Sequence, residues 1–302
     1  MGFFMLADVA PDIHPLTNAT ILPLLLRMLN CSSCGASHFV IHRDESTPLE
    51  IQTHCVIVCE ECKTCFKYEN GILEMLLEKP SALTPAQKSN FLGFIADHYQ
   101  SGWRSWCMNL FCGSAFSNTM ESEKLVRMLD FNSLPQDPVF VDHGTSHGFY
   151  AITIAKKLKE IHSNGFVIAI DFSKKMLYNA IEAAEKNRVS DKILWLWADV
   201  EDTPLADESV DRISCGGSLN EYRRADKAVA EAARTLKNGG SYVTMNLFTR
   251  NKMLGFFLSV IHTLSGLCFF TRNRWNIIFS DNGFRISEQE TRGMVMFTVS
   301  KK

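Results

Sequence analysis

Apolar positions in this chain gather in short solid blocks separated by stretches of helical period. Val139-Phe140-Val141 follows Pro138 and ends at Asp142. Phe166 to Asp171 reads FVIAID and Ile193 to Asp199 reads ILWLWAD, while Val210 to Cys215 (VDRISC) and Ser241 to Phe248 (SYVTMNLF) read as further strands that mix in polar residues. Such blocks predict buried strands. Ala151 to Leu158, Lys174 to Asn187 and Arg224 to Leu236 carry apolar residues on one side and charged residues on the other, so they predict helices. Lys237-Asn-Gly-Gly240 stops the last of these. Phe284 to Thr291 and Met294 to Ser300 read as two further strands turned by Arg292-Gly293, an antiparallel finish. Strands alternating with helices predict an α/β layer fold with a mostly parallel sheet.

Upstream the pattern changes. Lys79 to Ser89, with two prolines, reads as a linker. Asn90 to Tyr99, Trp103 to Phe116 and Glu121 to Leu129 read as helices rich in aromatics. Tyr99, Trp103 and Trp106 suit an aromatic lid or plain core. Met253 to Phe270 is 18 residues long and nearly uncharged, close to the length that spans a bilayer. Spanning would separate the last two strands from their sheet, so a hydrophobic helix over a substrate crevice is the expectation. Arg250, Lys252, Arg272 and Arg274 flank it, which leaves shallow membrane contact through 250–274 open.

Composition narrows the function classes. Hydrophobic residues make up 46% and charged residues 21% of the 302-residue chain, an ordinary globular balance. A net charge of −2 provides no global attraction to nucleic acid, so a nucleic-acid partner is not expected. The N-terminal stretch has no basic region before its apolar residues and is interrupted by Asp8 and Asp12. It does not read as a secretory signal, and a cytoplasmic location is the default expectation.

Ten cysteines without a secretory signal point to thiols and a metal site. Cys31-Ser-Ser-Cys34 and Cys59-Glu-Glu-Cys62 are two C-x-x-C knuckles 24 residues apart. Two residues between thiolates let both sulfurs reach one tetrahedral ion, so Cys31, Cys34, Cys59 and Cys62 predict a structural Zn2+ site. Cys55 and Cys65 leave the ligand choice open, because Cys62-Lys-Thr-Cys65 has the same spacing.

The candidate chemistry lies at the strand ends. Asp142-His143-Gly144-Thr145-Ser146-His147-Gly148 joins a strand to a helix with the spacing D-x-G-x-x-x-G. A glycine turn there exposes backbone N–H groups to a ligand, although Ser146 stands where a dinucleotide fingerprint would have glycine. Asp171 ends the second strand, 29 positions after Asp142, where an acid can accept from ribose hydroxyls. Asp199, just past the third strand, can receive an adenine amino group. His143 and His147 are the bases nearest the turn. Asn220, Glu221 and Tyr222 follow the fourth strand at the substrate end of the crevice.

VFVDHGTSHG, VIAIDFSKKMLYNA, LWADVEDTPLADESVDRI and AVAEAARTLKNGGSYV together resemble the class I S-adenosylmethionine (SAM)-dependent methyltransferases over roughly Pro138 to Lys302. CEECKTCFKYENGILEML and YQSGWRSWC extend the resemblance to ubiquinone/menaquinone-type members preceded by a zinc-ribbon leader. The resemblance implies a Rossmann-like seven-stranded sheet with a small N-terminal zinc ribbon. It divides the chain into a ribbon over 25–79, a helical linker or cap over 80–130, and a methyltransferase domain over 131–302. It places Asp142, Gly144, Ser146 and Gly148 at the methionine side of SAM. Asp171 falls at the ribose, Phe172, Asp199 and Val200 fall around the adenine, and Met176 joins the cofactor-binding residues. Cys215 to Ser218, with Cys215 and Gly216 also counted among the cofactor-binding residues, line the transfer site, and by their positions in the sequence His143, His147, Asn220 and Tyr222 are the candidate catalytic residues. The expected reaction is C- or O-methylation of a small hydrophobic molecule. An RNA methyltransferase gripping RNA through the ribbon, and a non-catalytic SAM-fold binding protein, are the alternatives. The methyl acceptor and the oligomeric state are left open.

Overall fold

A computed structural model describes residues 22–42, 54–77, 104–113, 115–249 and 267–302. The helix expected over Asn90 to Tyr99, the side chains of Trp103 and Trp106, and most of the apolar stretch from Met253 lie outside the described residues.

The cysteine-rich region forms an antiparallel meander of four strands: β1 (Phe39–His42), β2 (His54–Cys59), β3 (Cys65–Glu69) and β4 (Ile72–Glu74). Asn70 and Gly71 turn β3 into β4 with φ of 51° and 81°. Positive φ at both central residues is what a two-residue hairpin of matching twist needs, and Asn-Gly supplies it.

The strands expected downstream all form. β5 (Val139–His143), β6 (Phe166–Asp171), β7 (Ile193–Trp197) and β8 (Val210–Gly216) pair in parallel. β9 (Leu236–Thr249) continues the parallel set beside β8. Its register jumps from Val210↔Leu236 to Arg212↔Ser241, so Lys237 to Gly240 bulge out of the ladder where a simple helix stop was expected. β11 (Arg285–Arg292) and β12 (Val295–Lys301) close the sheet antiparallel, and β10 (Phe270–Thr271) adds a short pairing to β9.

The strand order is β1-β2-β3-β4-β7-β6-β5-β8-β9-β12-β11. The ribbon is therefore no separate sheet. β4 pairs parallel with β7, Leu73 opposite Leu196, and extends the seven downstream strands at one edge. An edge strand exposes unpaired N–H and C=O groups, and the ribbon covers this one. The N–H groups of Met75 and Leu76 both donate to the Trp197 carbonyl and carry the contact past the ladder.

Helices cover both faces. α1 (Arg104–Cys112), α2 (Asn118–Leu129), α3 (Phe149–Glu160) and α4 (Lys174–Lys186) contribute Met108, Leu125, Ile154 and Leu177 to one apolar cluster. α5 (Ala225–Thr235) and α6 (Arg272–Asp281) contribute Val229, Trp275 and Phe279 to the other, together with Leu25 and Leu29, which precede the first cysteine knuckle. α6 was not expected. Its buried Trp275, Ile278 and Phe279 have helical spacing, and the Thr271 hydroxyl caps it by accepting from the Arg274 N–H at 3.2 Å. Arg272 and Arg274, read as flanking cations, belong to this helix.

Candidate functional site

The two knuckles fold alike. Gly35 N–H donates to the Cys31 carbonyl at 2.8 Å, and Lys63 N–H donates to the Cys59 carbonyl at 3.0 Å. Gly35 (φ 79°) and Lys63 (φ 61°) both take the left-handed conformation that ends such a turn. The knuckles bring Cys31 Sγ to 3.6 Å from Cys62 Sγ, and Cys34 Sγ to 3.7 Å from Cys59 Sγ. All four sulfurs lie within 4.8 Å of one another. Four thiolates about 2.3 Å from a tetrahedral ion stand about 3.8 Å apart, so the donor set fits Zn2+. Cys65 stays outside, its thiol donating to the Lys63 carbonyl at 3.6 Å.

Asp142 lies at the C-terminal end of β5 and is almost wholly buried. Its carboxylate accepts from Thr145 Oγ1 at 2.7 Å, Ser214 Oγ at 2.8 Å and Ala151 N at 3.2 Å. One side chain thus ties β5 to the turn, to α3 and to β8. Burial pushes its carboxyl up to about 6, against those three hydrogen bonds. Thr145 and Ser214 escaped the sequence reading, since nothing local marks a hydroxyl as partner to a carboxylate.

Three alternate positions of the turn take the left-handed region that favours glycine. Gly144, Ser146 and Gly148 have φ of 64°, 51° and 82°. Ser146 adopts the conformation that a glycine would, and its N–H donates to Asp171 Oδ2 at 2.8 Å. Asp171 Oδ1 accepts from Ser173 N at 2.9 Å, and the Ser173 side chain caps α4. Burial raises the Asp171 carboxyl to about 6 as well. Met176 is buried in the first turn of α4, 3.8 Å from Ser146 Oγ through its sulfur.

The next strand brings the other residues to the same edge. Phe172 offers its carbonyl to Trp197 Nε1 at 2.7 Å. Asp199 follows β7, takes the Glu201 N–H at 2.9 Å and has its carboxyl raised, chiefly by burial. Val200 is buried beside it. Cys215 and Gly216 end β8, and a Cβ on Gly216 would press against the Tyr150 ring at 3.3 Å.

The loop after β8 seats on the glycine turn. Ser218 Oγ donates to the Gly144 carbonyl at 2.8 Å. A Cβ on Gly144 would lie 2.3 Å from Tyr222 Oη, so only glycine permits this approach.

The four candidate catalytic residues separate. His143 is fully buried, and burial pushes its imidazole down to about 3. Tyr222 is buried with its hydroxyl against Gly144. His147, four residues from His143, lines an outer groove of about 680 Å³ with Asn118, Ser122 and Lys156. Asn220 is a clamp: its amide donates to the Leu247 and Cys268 carbonyls and accepts the Leu247 N–H at 2.8 Å. The loop after β8 is thereby pinned to the end of β9.

A methyltransferase domain model matches residues 141–244. An uncharacterised chloroplastic methyltransferase of Arabidopsis thaliana is 24% identical over 196 residues, 61% of this chain and 52% of that protein. The ubiquinone/menaquinone biosynthesis C-methyltransferase of Rickettsia prowazekii is 25% identical over 157 residues, 52% of this chain and 59% of its own. The chain therefore spans a little over half the length of these relatives. Among solved structures, the [4+2]-cyclase SpnF superposes with a TM-score of 0.54 at 17% identity, over 70% of this chain and 77% of that one. Geranyl diphosphate C-methyltransferase of Streptomyces coelicolor, bound to S-adenosyl-L-homocysteine (SAH), superposes with a TM-score of 0.50 at 15% identity, over 61% and 78%. These two likenesses establish the fold alone. The strand order, the matched model and the sequence relatives identify a class I SAM-dependent methyltransferase domain in this chain, similar to the ubiquinone/menaquinone C-methyltransferases.

Proposed function

We propose that the protein transfers a methyl group from SAM to carbon or oxygen of a small hydrophobic molecule. The observation that carries this reading is Asp171. It is a buried carboxylate at the end of β6 that holds the N–H of the glycine turn, with Asp199 following the neighbouring strand. The named activities of the quinone-methylating relatives support the same class of acceptor.

In this reading Asp142, Gly144, Ser146 and Gly148 shape the pocket for the methionine end. Asp171 accepts from the ribose hydroxyls. Phe172, Met176, Asp199 and Val200 surround the adenine. SAM supplies an electrophilic methyl on a sulfonium. The protein's share is to place the acceptor atom in line with it and exclude water, an effect on the order of 7–11 kcal/mol in favourable cases. Cys215 and Gly216 border the transfer side. His143 and Tyr222 are buried and are kept as acceptor-side residues. Asn220 is assigned a positioning role through β9, and His147 is set aside from chemistry because it lines the outer groove.

Cys31, Cys34, Cys59 and Cys62 hold a structural zinc in this proposal, closed to substrate because all four positions are thiolates. Among the described residues no helix is long and apolar enough to cross a membrane. The Arabidopsis relatives are named chloroplastic, so they do not support a cytoplasmic address.

Isothermal titration with SAM and SAH, with zinc assayed on the same sample, tests the reading. Micromolar binding, followed by label transfer from SAM to a hydroquinone or phenol, is the expected result. A folded, zinc-loaded protein that binds neither compound would overturn it. Label transfer to RNA alone, with salt-dependent RNA affinity, would replace it with the RNA reading.

A further inference from the structure

Six polar side chains lie on one face of the sheet, at the C-terminal ends of β5 and β8 and along the second half of β9: His143, Cys215, Tyr222, Tyr242, Thr244 and Asn246, with the Tyr242 ring packed on Phe279 and Phe284. All are between 0 and 3% exposed. Cys215 lies in register with Thr244, and Ile213, on the same face as Cys215, with Tyr242. The His143 ring stands edge-on to the Tyr242 ring at 5.9 Å. Tyr222 reaches in from the loop after β8, its hydroxyl against Gly144.

Both ring nitrogens of His143, the hydroxyls of Tyr222, Tyr242 and Thr244, and both amide atoms of Asn246 have no hydrogen-bond partner. The Cys215 thiol sits near both phenols, but the contact falls short of hydrogen-bond geometry. Folded proteins satisfy nearly all buried polar atoms, and each one left unsatisfied costs its desolvation. A cluster of them at the cofactor edge of the sheet calls for a partner that arrives from outside.

The cluster also states what that partner is. It offers donors and acceptors together, through an amide, three hydroxyls and an imidazole that burial keeps neutral. The charges felt at Tyr222 and Tyr242 are acidic, from Asp171 and Glu221 at the first and Asp142 at the second. An anionic group would enter uncompensated and repelled.

We propose that these side chains form the polar floor of the acceptor site and hydrogen-bond the uncharged hydroxyl or carbonyl oxygens of an otherwise apolar acceptor. This rests on the methyltransferase reading, and it adds Tyr242, Thr244 and Asn246 as specificity-determining residues.

The experiment compares a decyl-substituted 1,4-hydroquinone with its dimethyl ether, on the full chain, by calorimetry and thermal shift. SAH binding is titrated separately and reports on the methyltransferase reading alone. The wild type should bind the hydroquinone at least about tenfold more tightly than the ether, the ratio set by its extra hydrogen bonds. Thr244→Val and Asn246→Leu should each erase most of that ratio and leave SAH affinity unchanged. The free variants should melt no lower than the wild type, because they remove unsatisfied groups. Equal binding of the two probes by the wild type, or a ratio that survives in both variants, would overturn the floor. So would variants that melt well below the wild type without ligand, since the groups would then be satisfied inside the folded chain, by ordered water for example.

Discussion

The Lys174 ammonium lies 4.1 Å from the centroid of the Trp197 ring and also pairs with the Glu74 carboxylate. Glu74 is the last residue of the ribbon's β4, Lys174 the first of α4, and Trp197 the last of β7. Trp197 in turn donates to the Phe172 carbonyl. The ribbon is thus wired to the proposed adenine side of the site. Glu74→Gln should weaken SAM binding about two- to fivefold, the scale of one partly exposed ion pair, with zinc content unchanged. Replacing Cys31 and Cys34 by serine should lose the zinc and weaken SAM binding further. Unchanged affinity in the metal-free protein would show that the ribbon and the cofactor site are uncoupled.

Gly144→Ala should be severely disruptive. The alanine would be left-handed, at about 1–2 kcal/mol, and its Cβ would clash with Tyr222 and Ser218. Adding Tyr222→Phe should recover part of the loss, because it removes the nearest atom. A thermal-denaturation double-mutant cycle would measure this coupling, and strict additivity would contradict the contact.

Ser146→Gly should leave SAM affinity within about twofold. The backbone at Ser146 is already in the glycine region, so the serine does not distort the turn. Strain relief of about 1–2 kcal/mol and the extra unfolded-state freedom of glycine, about 0.4–1 kcal/mol, partly offset each other and act on folding stability, not on the bound cofactor. A large gain in affinity on calorimetry would mean that the serine side chain obstructs the cofactor.

Asp142 and Asp171 should leave a mark on pH dependence. Both carboxyls are raised by burial from 3.8 to about 6. The folded state therefore holds more protons than the unfolded state between these values, and stability falls as pH rises through that window. Asp142→Asn should remove its part of the fall, a difference growing to about 3 kcal/mol above pH 6. Ser214 can turn its hydroxyl to the Val141 carbonyl to suit the amide. Denaturant melts at pH 4 and pH 7 would detect this, and parallel curves for the two proteins would refute it. In the proposed complex the ionised Asp171 is the better acceptor for ribose. SAM affinity should then rise as pH passes through about 6, and Asp171→Asn should bind more weakly with a shallower profile, the part owed to Asp142 remaining.

Much of the architecture was legible in the linear pattern. Apolar blocks of strand length and amphipathic stretches report the environment of each residue's own neighbours, and that marked β5 to β9, α3 to α5 and the closing hairpin. The C-x-x-C spacing marked four sulfurs that do converge. The acids at the strand ends were visible because parallel strands bring their C-terminal ends to one edge. Two signals were present and unread: Asn70-Gly71, which turns the ribbon's last hairpin, and the i, i+3, i+4 apolar set of α6.

The remainder was decided only in three dimensions. β4 joins β7 across more than a hundred residues of chain, and no local pattern encodes which sheet edge a strand will cover. His143 and His147 look equivalent in sequence, yet one ends a strand under a packed face and the other opens on a groove. A shift from strand to turn between them redirects the side chain. Asn220 was chosen as a reactive amide and spends its hydrogen bonds on backbone groups that approach from β9 and from Cys268. The unsatisfied polar face around Asn246 belongs to the same class. Residue type and spacing determined which groups this protein owns, while tertiary packing, by supplying or withholding partners distant in the chain, decided which are committed to structure and which stay free to meet a ligand.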